Sequence, residues 1–259
     1  MESPHLSENV KINTVSEDAY KGVFQIEGLY RGYGTTIGNA LRRVLLSSLP
    51  GAAITRFKIK GVGHEFTTIP GVMEDVVEIS LNLKKVRFKF FAGEPQVLVL
   101  SVKGEKDVTA SDIKGNTEVQ IQNGDLHIAT LTSKTAELEM EITVEKGLGY
   151  QPVEVQKIEK LSIGTIALDV MYSPVRNVNF SIENMRVGEH TDYNRLTLEL
   201  ETDGTISPSN ALHKAANILL DHFNKVSALE VKETPEVAME TVEKAKKEPK
   251  TRAKKAKAE

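Results

Sequence analysis

Three glycines, Gly32, Gly34 and Gly38, stand in the run LYRGYGTTIGNALRRVLLSSLPG (29 to 51), between a strand-like stretch and a helix-like one. A glycine-rich turn ahead of a helix can cradle phosphate, because unpaired backbone N–H groups and the positive end of the helix dipole meet there. The spacing is one residue off the G-x-G-x-x-G dinucleotide pattern, and no Gly-Lys-Ser/Thr ending follows. The first acidic residue after Gly34 is Glu65, whereas a ribose-binding carboxylate belongs about twenty residues on. The glycines therefore read better as a tight strand-to-helix connection, with a nucleotide-binding loop as the alternative.

Other chemistry finds less support. The histidines, at 5, 64, 127, 190, 213 and 222, are never three or four apart, as a helical metal pair requires. The absence of cysteine excludes disulfides, thiolate nucleophiles and cysteine-bound zinc. No Gly-x-Ser-x-Gly elbow occurs. Glu74, Asp75 and Glu78 could share a helix face as acid–base or metal-binding carboxylates. They read more simply as the solvated side of a helix whose Val76, Val77, Ile79 and Leu83 turn inward. Arg42 and Arg43 have two open readings: solvated charges, or a protein-contact patch that uses the planar guanidinium fork.

The elements that would position these residues follow from periodicity. Ile37, Ala40, Leu41, Val44, Leu45, Ser48 and Leu49 recur at three- and four-residue intervals, which predicts a helix with one apolar or small face. Thr35 or Thr36 suits its N-cap, and Pro50-Gly51 its stop. Residues 23 to 29 read as a short strand. From residue 54 the period falls to two: Phe57 and Ile59, then Val86, Phe88 and Phe90, then Leu138, Met140, Ile142 and Val144 alternate with polar residues as half-buried strands. Asn123-Gly124 in VQIQNGDLHI predicts a tight hairpin. Further strands are expected at 178 to 182 and 195 to 201. A last helix then follows Ser207-Pro208, with Leu212, Ala215, Leu219, Phe223 and Val226 on one stripe. That stripe packs either on the chain's own sheet or on a second copy.

The 259 residues are 40% hydrophobic and 27% charged, with no apolar run near the roughly 20 residues that span a bilayer. A soluble protein is expected. The opening MESPHLSENVKINTV lacks the basic start and apolar segment of a secretory signal, so the cytoplasm is the default location. The stretch 244 to 259 holds eight basic and two acidic residues; against a net charge of −3 for the chain, this leaves −9 on the rest. The body is thus acidic, and residues 231 to 259 are expected to be a disordered, lysine-rich tail.

Long ordered motifs carry a resemblance. RGYGTTIGNALRRVLLSSLPGAAITRFKIKGVGHEFTTIPGVMEDVVEISLNLK (31 to 84), KGLGYQP (146 to 152), IGTIALDVMYSPV (163 to 175) and TDYNRLTLELETDGTISPSNAL (191 to 212) resemble the amino-terminal region of the alpha subunit of bacterial-type DNA-directed RNA polymerase. The likeness covers about 20 to 230. It implies an α+β fold of two domains. Residues 1 to 50 and 176 to 230 would form an antiparallel-sheet dimerisation domain with two packing helices, and 51 to 175 a strand-rich insert. It also implies an assembly subunit without an active site, metal or cofactor. Two copies would dimerise through the first and last helices, at Leu41, Leu45, Leu219, Phe223 and Val226. Arg43 with Leu46, and Arg42 beside them, would touch the beta subunit; Lys84, Leu168 and Asp169 would face beta-prime. The family's small carboxy-terminal DNA-binding domain has no counterpart in this sequence, whose tail is expected to offer at most weak contact with DNA phosphates. The competing readings are a stand-alone homodimeric adaptor and the nucleotide-binding loop. Plastid polymerases are of the same type, so a plastid origin stays open beside a bacterial cytoplasm.

Overall fold

A computed structural model describes residues 9–156 and 162–229, and among these long paired strands alternate with three α-helices. In its first part β1 (Lys11–Glu17), β2 (Lys21–Leu29), α1 (Tyr33–Ser47), β3 (Pro50–Ile59) and α2 (Val76–Leu83) follow one another. The middle holds β4 (Phe88–Phe90), β5 (Gln96–Lys103), β6 (Lys106–Thr109), β7 (Ile113–Lys114), β8 (Val119–Ile121), β9 (His127–Leu131) and β10 (Glu137–Leu148). After these come β11 (Tyr150–Gln151), β12 (Thr165–Ala167), β13 (Val170–Met171), β14 (Val175–Val187), β15 (His190–Thr202) and α3 (Pro208–Ser227). The expected tail, 231 to 259, and residues 1 to 8 of the expected dimerisation domain lie outside the described residues.

The pairing is antiparallel, and the class is α+β, as the sequence implies. One sheet runs in the order β1-β2-β15-β14. Its inner face carries Phe24, Ile26, Val178, Leu196, Leu198 and Leu200, and α1 and α3 add Leu41, Leu45, Ala211 and Ala215 to the same core. A second sheet runs in the order β12-β3-β10-β5-β7. There Phe57, Ile59, Leu98, Leu100, Leu138 and Ile142 bury with Val76, Ile79 and Leu83 of α2. Each fully buried side chain of this size stabilises by about 1.5–3 kcal/mol, so alternating strands of this kind supply both cores. Described residues up to His222 belong to one unit that contains both cores. From Phe223 on, the described residues form a second unit: the end of α3, then Ala228 and Leu229.

Three local expectations are corrected. The first helix starts at Tyr33, and neither Thr35 nor Thr36 caps it. Gly32 is the N-cap, at φ 86°, where a side chain is disfavoured, and its N–H donates to Asn194 Oδ1 at 3.0 Å. Asn123-Gly124 does not join a hairpin: β8 pairs with β4, and β9 with β6. Asn123 instead uses its side chain, with Oδ1 accepting from Arg87 N at 2.8 Å and Nδ2 donating to Lys85 O at 2.9 Å. Glu74 is not on a solvated face. It is 9% exposed and accepts hydrogen bonds from Thr130 N and Oγ1 at 2.7 and 3.1 Å.

Candidate protein-docking site

On α1 the glycines govern how closely helix and sheet approach. A Cβ at Gly38 would meet Phe180 Cδ2 at 2.9 Å, and one at Gly34 would meet Asn194 Cβ at 3.1 Å. Both residues are buried. The Gly32 amide is already taken by Asn194, and Gly34 and Gly38 are buried against the sheet, so these glycines serve the packing of helix on sheet. Helix periodicity then sorts the rest of α1. Leu41 and Leu45, expected at the dimer interface, are 6% and 0% exposed inside the chain's own core. They pack against the chain's own sheet and shape the helix face from beneath.

The outer side of the same helix is different. Arg42 and Arg43 are exposed, and Leu46, one turn beyond Arg43, is 36% exposed. Among the described residues neither arginine has an acidic partner within ion-pair distance. Two free guanidinium groups beside an exposed leucine suit an interface with a polar or acidic partner, since arginine is enriched at binding hot spots.

The second expected cluster assembles around the end of α2. Asp75 caps this helix by accepting from Glu78 N at 2.7 Å. Beside it Glu74 holds β9, with His127 Nε2 at 2.9 Å from Oε1. Burial pushes the Glu74 carboxyl up, but the Thr130 and His127 hydrogen bonds outweigh it and leave the group below its ordinary value. Lys84 at the far end of α2 forms an ion pair with Asp169, and Tyr150 Oη donates to Asp169 Oδ2 at 3.4 Å. The Lys84 ammonium draws the Asp169 carboxyl below the usual range. Lys84 and Asp169 thus come together from distant positions. Leu168 does not join them at the surface: it is 4% exposed, its N–H donates to Thr55 O at 2.8 Å, and its carbonyl accepts from Gln156 Nε2 at 2.6 Å. Tyr150, 56% exposed beside Asp169, is a member that the sequence reading did not single out. Its only signal there is its position in KGLGYQP.

The last helix divides along its length. Ala211 and Ala215 are fully buried, and small side chains there let the first half lie close to the core. Leu219 is partly buried against that core. Leu220, Phe223 and Val226 are 56%, 64% and 68% exposed, and Leu229 is 73% exposed. No group of three metal-binding side chains occurs among the described residues, and no helix among them is long and apolar enough to cross a membrane.

Comparison with known proteins gives these surfaces a context. A family described as the RNA polymerase Rpb3/RpoA insert domain matches residues 57–173. A protein named DNA-directed RNA polymerase subunit alpha, from Symbiobacterium thermophilum, is 52% identical over 218 residues, which are 83% of this chain and 69% of that protein. One of the same name from Oceanobacillus iheyensis is 48% identical over 219 residues, 84% of this chain and 69% of that protein.

Proposed function

The chain belongs to the family of bacterial DNA-directed RNA polymerase alpha subunits, and we propose that it acts as an assembly scaffold: it pairs with a second copy and carries the two large catalytic subunits. The observation that supports this most directly is the exposed apolar stripe at the end of α3, where Leu220, Phe223 and Val226 are solvated beyond the part of the helix, up to Leu219, that packs in the chain's own core. Such a stripe, solvated in one chain, gains by covering a second copy. Leu219, at its margin, belongs to the same contact.

The outer side of α1 is the proposed beta-subunit surface, with Arg43 and Leu46 as anchors and Arg42 beside them. Lys84 and Asp169 form the proposed beta-prime surface, to which Tyr150 adds an exposed ring; Leu168 supports it from within. A dimerisation domain of residues 1 to 50 and 176 to 230, with an insert of 51 to 175, is supported by the two separate cores and by the extent of the family match. The chain has no active site of its own on this reading, and the nucleotidyl transfer belongs to the complex. We assign it to the cytoplasm of a bacterial cell, where that complex would meet DNA. The lysine-rich stretch 244 to 259 would add weak, salt-sensitive contact with DNA phosphates.

The test is Arg43→Ala in the full chain, assayed for self-association by light scattering and for capture of the isolated beta subunit. Intact dimer with impaired capture is the expected result. Loss of the dimer with capture preserved would reverse the assignment of the two surfaces.

A further inference from the structure

Two cores in one chain need something to fix the angle between them. The backbone passes from the first core to the second around Leu49 to Gly51 and returns around Tyr172 to Val175. The two crossings run side by side, since a side chain at Gly51 would collide with the Tyr172 carbonyl oxygen. Two adjacent crossings make a hinge line, about which packed lobes rotate unless a third tie opposes it.

Arg87 and Asp203 supply a tie of that kind. Arg87 lies between α2 and β4, and its neighbours Val86 and Phe88 are buried in the second core. Its backbone is fixed by Asn123 Oδ1, and its Nη1 donates to Lys84 O at 3.4 Å. Asp203 follows β15 of the first sheet. Its N–H donates to Pro174 O at 2.9 Å, on the returning crossing, and its Oδ1 accepts from Thr205 N and Oγ1 at 3.0 and 2.6 Å. Arg87 Nε stands 3.6 Å from Asp203 Oδ2, with side chains only 19% and 7% exposed. Among the described residues this is the one ion pair that links the two lobes. Arg87 Nε is buried and has no hydrogen-bond partner, so the Asp203 carboxylate meets it as a charge at ion-pair distance.

Burial of a guanidinium is costly unless a carboxylate stays beside it, so the pair resists separation more than a surface bridge does. The cost carries directional information. Rotation of the insert away from the first sheet strips Arg87 of Asp203 while its Nη1 stays with Lys84 O in the same loop. We propose that the Arg87–Asp203 pair is an interlobe latch, whose two members are positioning residues that hold the Lys84 and Asp169 surface at a fixed angle to α1. The inference concerns the chain alone and goes beyond its role in the polymerase.

The lack of native cysteine makes the test direct. Ser181→Cys on the outer face of the first sheet and Glu105→Cys in the second lobe, both exposed, take a pair of spin labels. The labelled full chain is diluted with unlabelled chain, so that distances within one copy are read. A narrow interlobe distance distribution is expected for the parent. It should become roughly twofold broader in Arg87→Gln and in Asp203→Asn, and no broader still in the double variant, because neither residue acts without the other. Arg87→Lys, which keeps the charge, should restore most of the narrowness. Asp203→Asn also touches the Thr205 turn, so Arg87→Gln and Arg87→Lys carry the decision if it does not fold. Unchanged widths in Arg87→Gln, or broadening that Arg87→Lys does not reverse, would overturn the latch. Neither outcome depends on whether the large subunits bind.

Discussion

Arg43 and Glu74 illustrate how differently one charge acts on a surface and under it. Arg43 is solvated and makes no ion pair among the described residues, so Arg43→Ala should leave the unfolding free energy within about 0.5 kcal/mol of the parent. The same change should weaken beta-subunit capture by about 2 kcal/mol or more if it is the anchor proposed here. Calorimetry of both quantities on one preparation checks this, and equal losses in the two would remove the case for an interface role. Glu74→Gln should behave in the opposite way, with capture preserved and the fold weakened by about 1–3 kcal/mol at neutral pH, as hydrogen bonds to the carboxylate are lost. Because the folded state holds this carboxyl below its ordinary value of 4.5, the stability it adds is fully present above that value and is lost as the pH falls through the lower, folded one. Urea midpoints of parent and variant should therefore converge on acidification below about pH 4.5. A gap that widens there would contradict the assignment.

At the scale of elements, α1 divides an inner side packed in the core from an outer side exposed among the described residues, whereas α3 divides a packed first half from an exposed second half. Gly38→Ala places a methyl group against the Phe180 ring, and such overpacking costs about 1–3 kcal/mol. Thermal unfolding should register that loss, together with a displaced α1; a neutral result would mean that the close approach is not needed. Phe223→Asp puts a charge on the exposed stripe of α3. It should leave the fold intact and raise the dimer dissociation constant by about 30-fold or more, equivalent to ~2 kcal/mol. Sedimentation across a concentration series reads this, and an unaltered dimer would direct attention to a different face. The helices and long strands were legible because their periods are regular: β10 buries Leu138, Met140, Ile142 and Val144 as alternation demands. The failures have equally physical causes. Gly32 displaced the threonines as cap because Asn194, 162 residues away, secures its amide. Asn123-Gly124 has the composition of a hairpin turn, yet its side chain is drawn to the backbone at Lys85 and Arg87, and the flanking strands find other partners. Leu41 and Leu45 could be assigned to an apolar face from the sequence, but which body covers that face is a tertiary fact. Lys84 and Asp169 were named through family likeness; their ion pair spans 85 positions and leaves no local pattern.

For the whole molecule, two cores, an apolar stripe on α3 exposed among the described residues and two polar patches are the features on which the proposed scaffold role rests. Family membership rests on about half of the residues being identical to polymerase alpha subunits over more than four-fifths of the chain. The scaffold role is the step beyond it. Native mass spectrometry of the complex reconstituted from this chain and the two large subunits of a bacterial polymerase is the most direct test. The account predicts an assembly with two copies of this chain and one of each large subunit, preceded by a free dimer of the chain. A chain that stays monomeric at high concentration, and leaves both large subunits unbound, would contradict it.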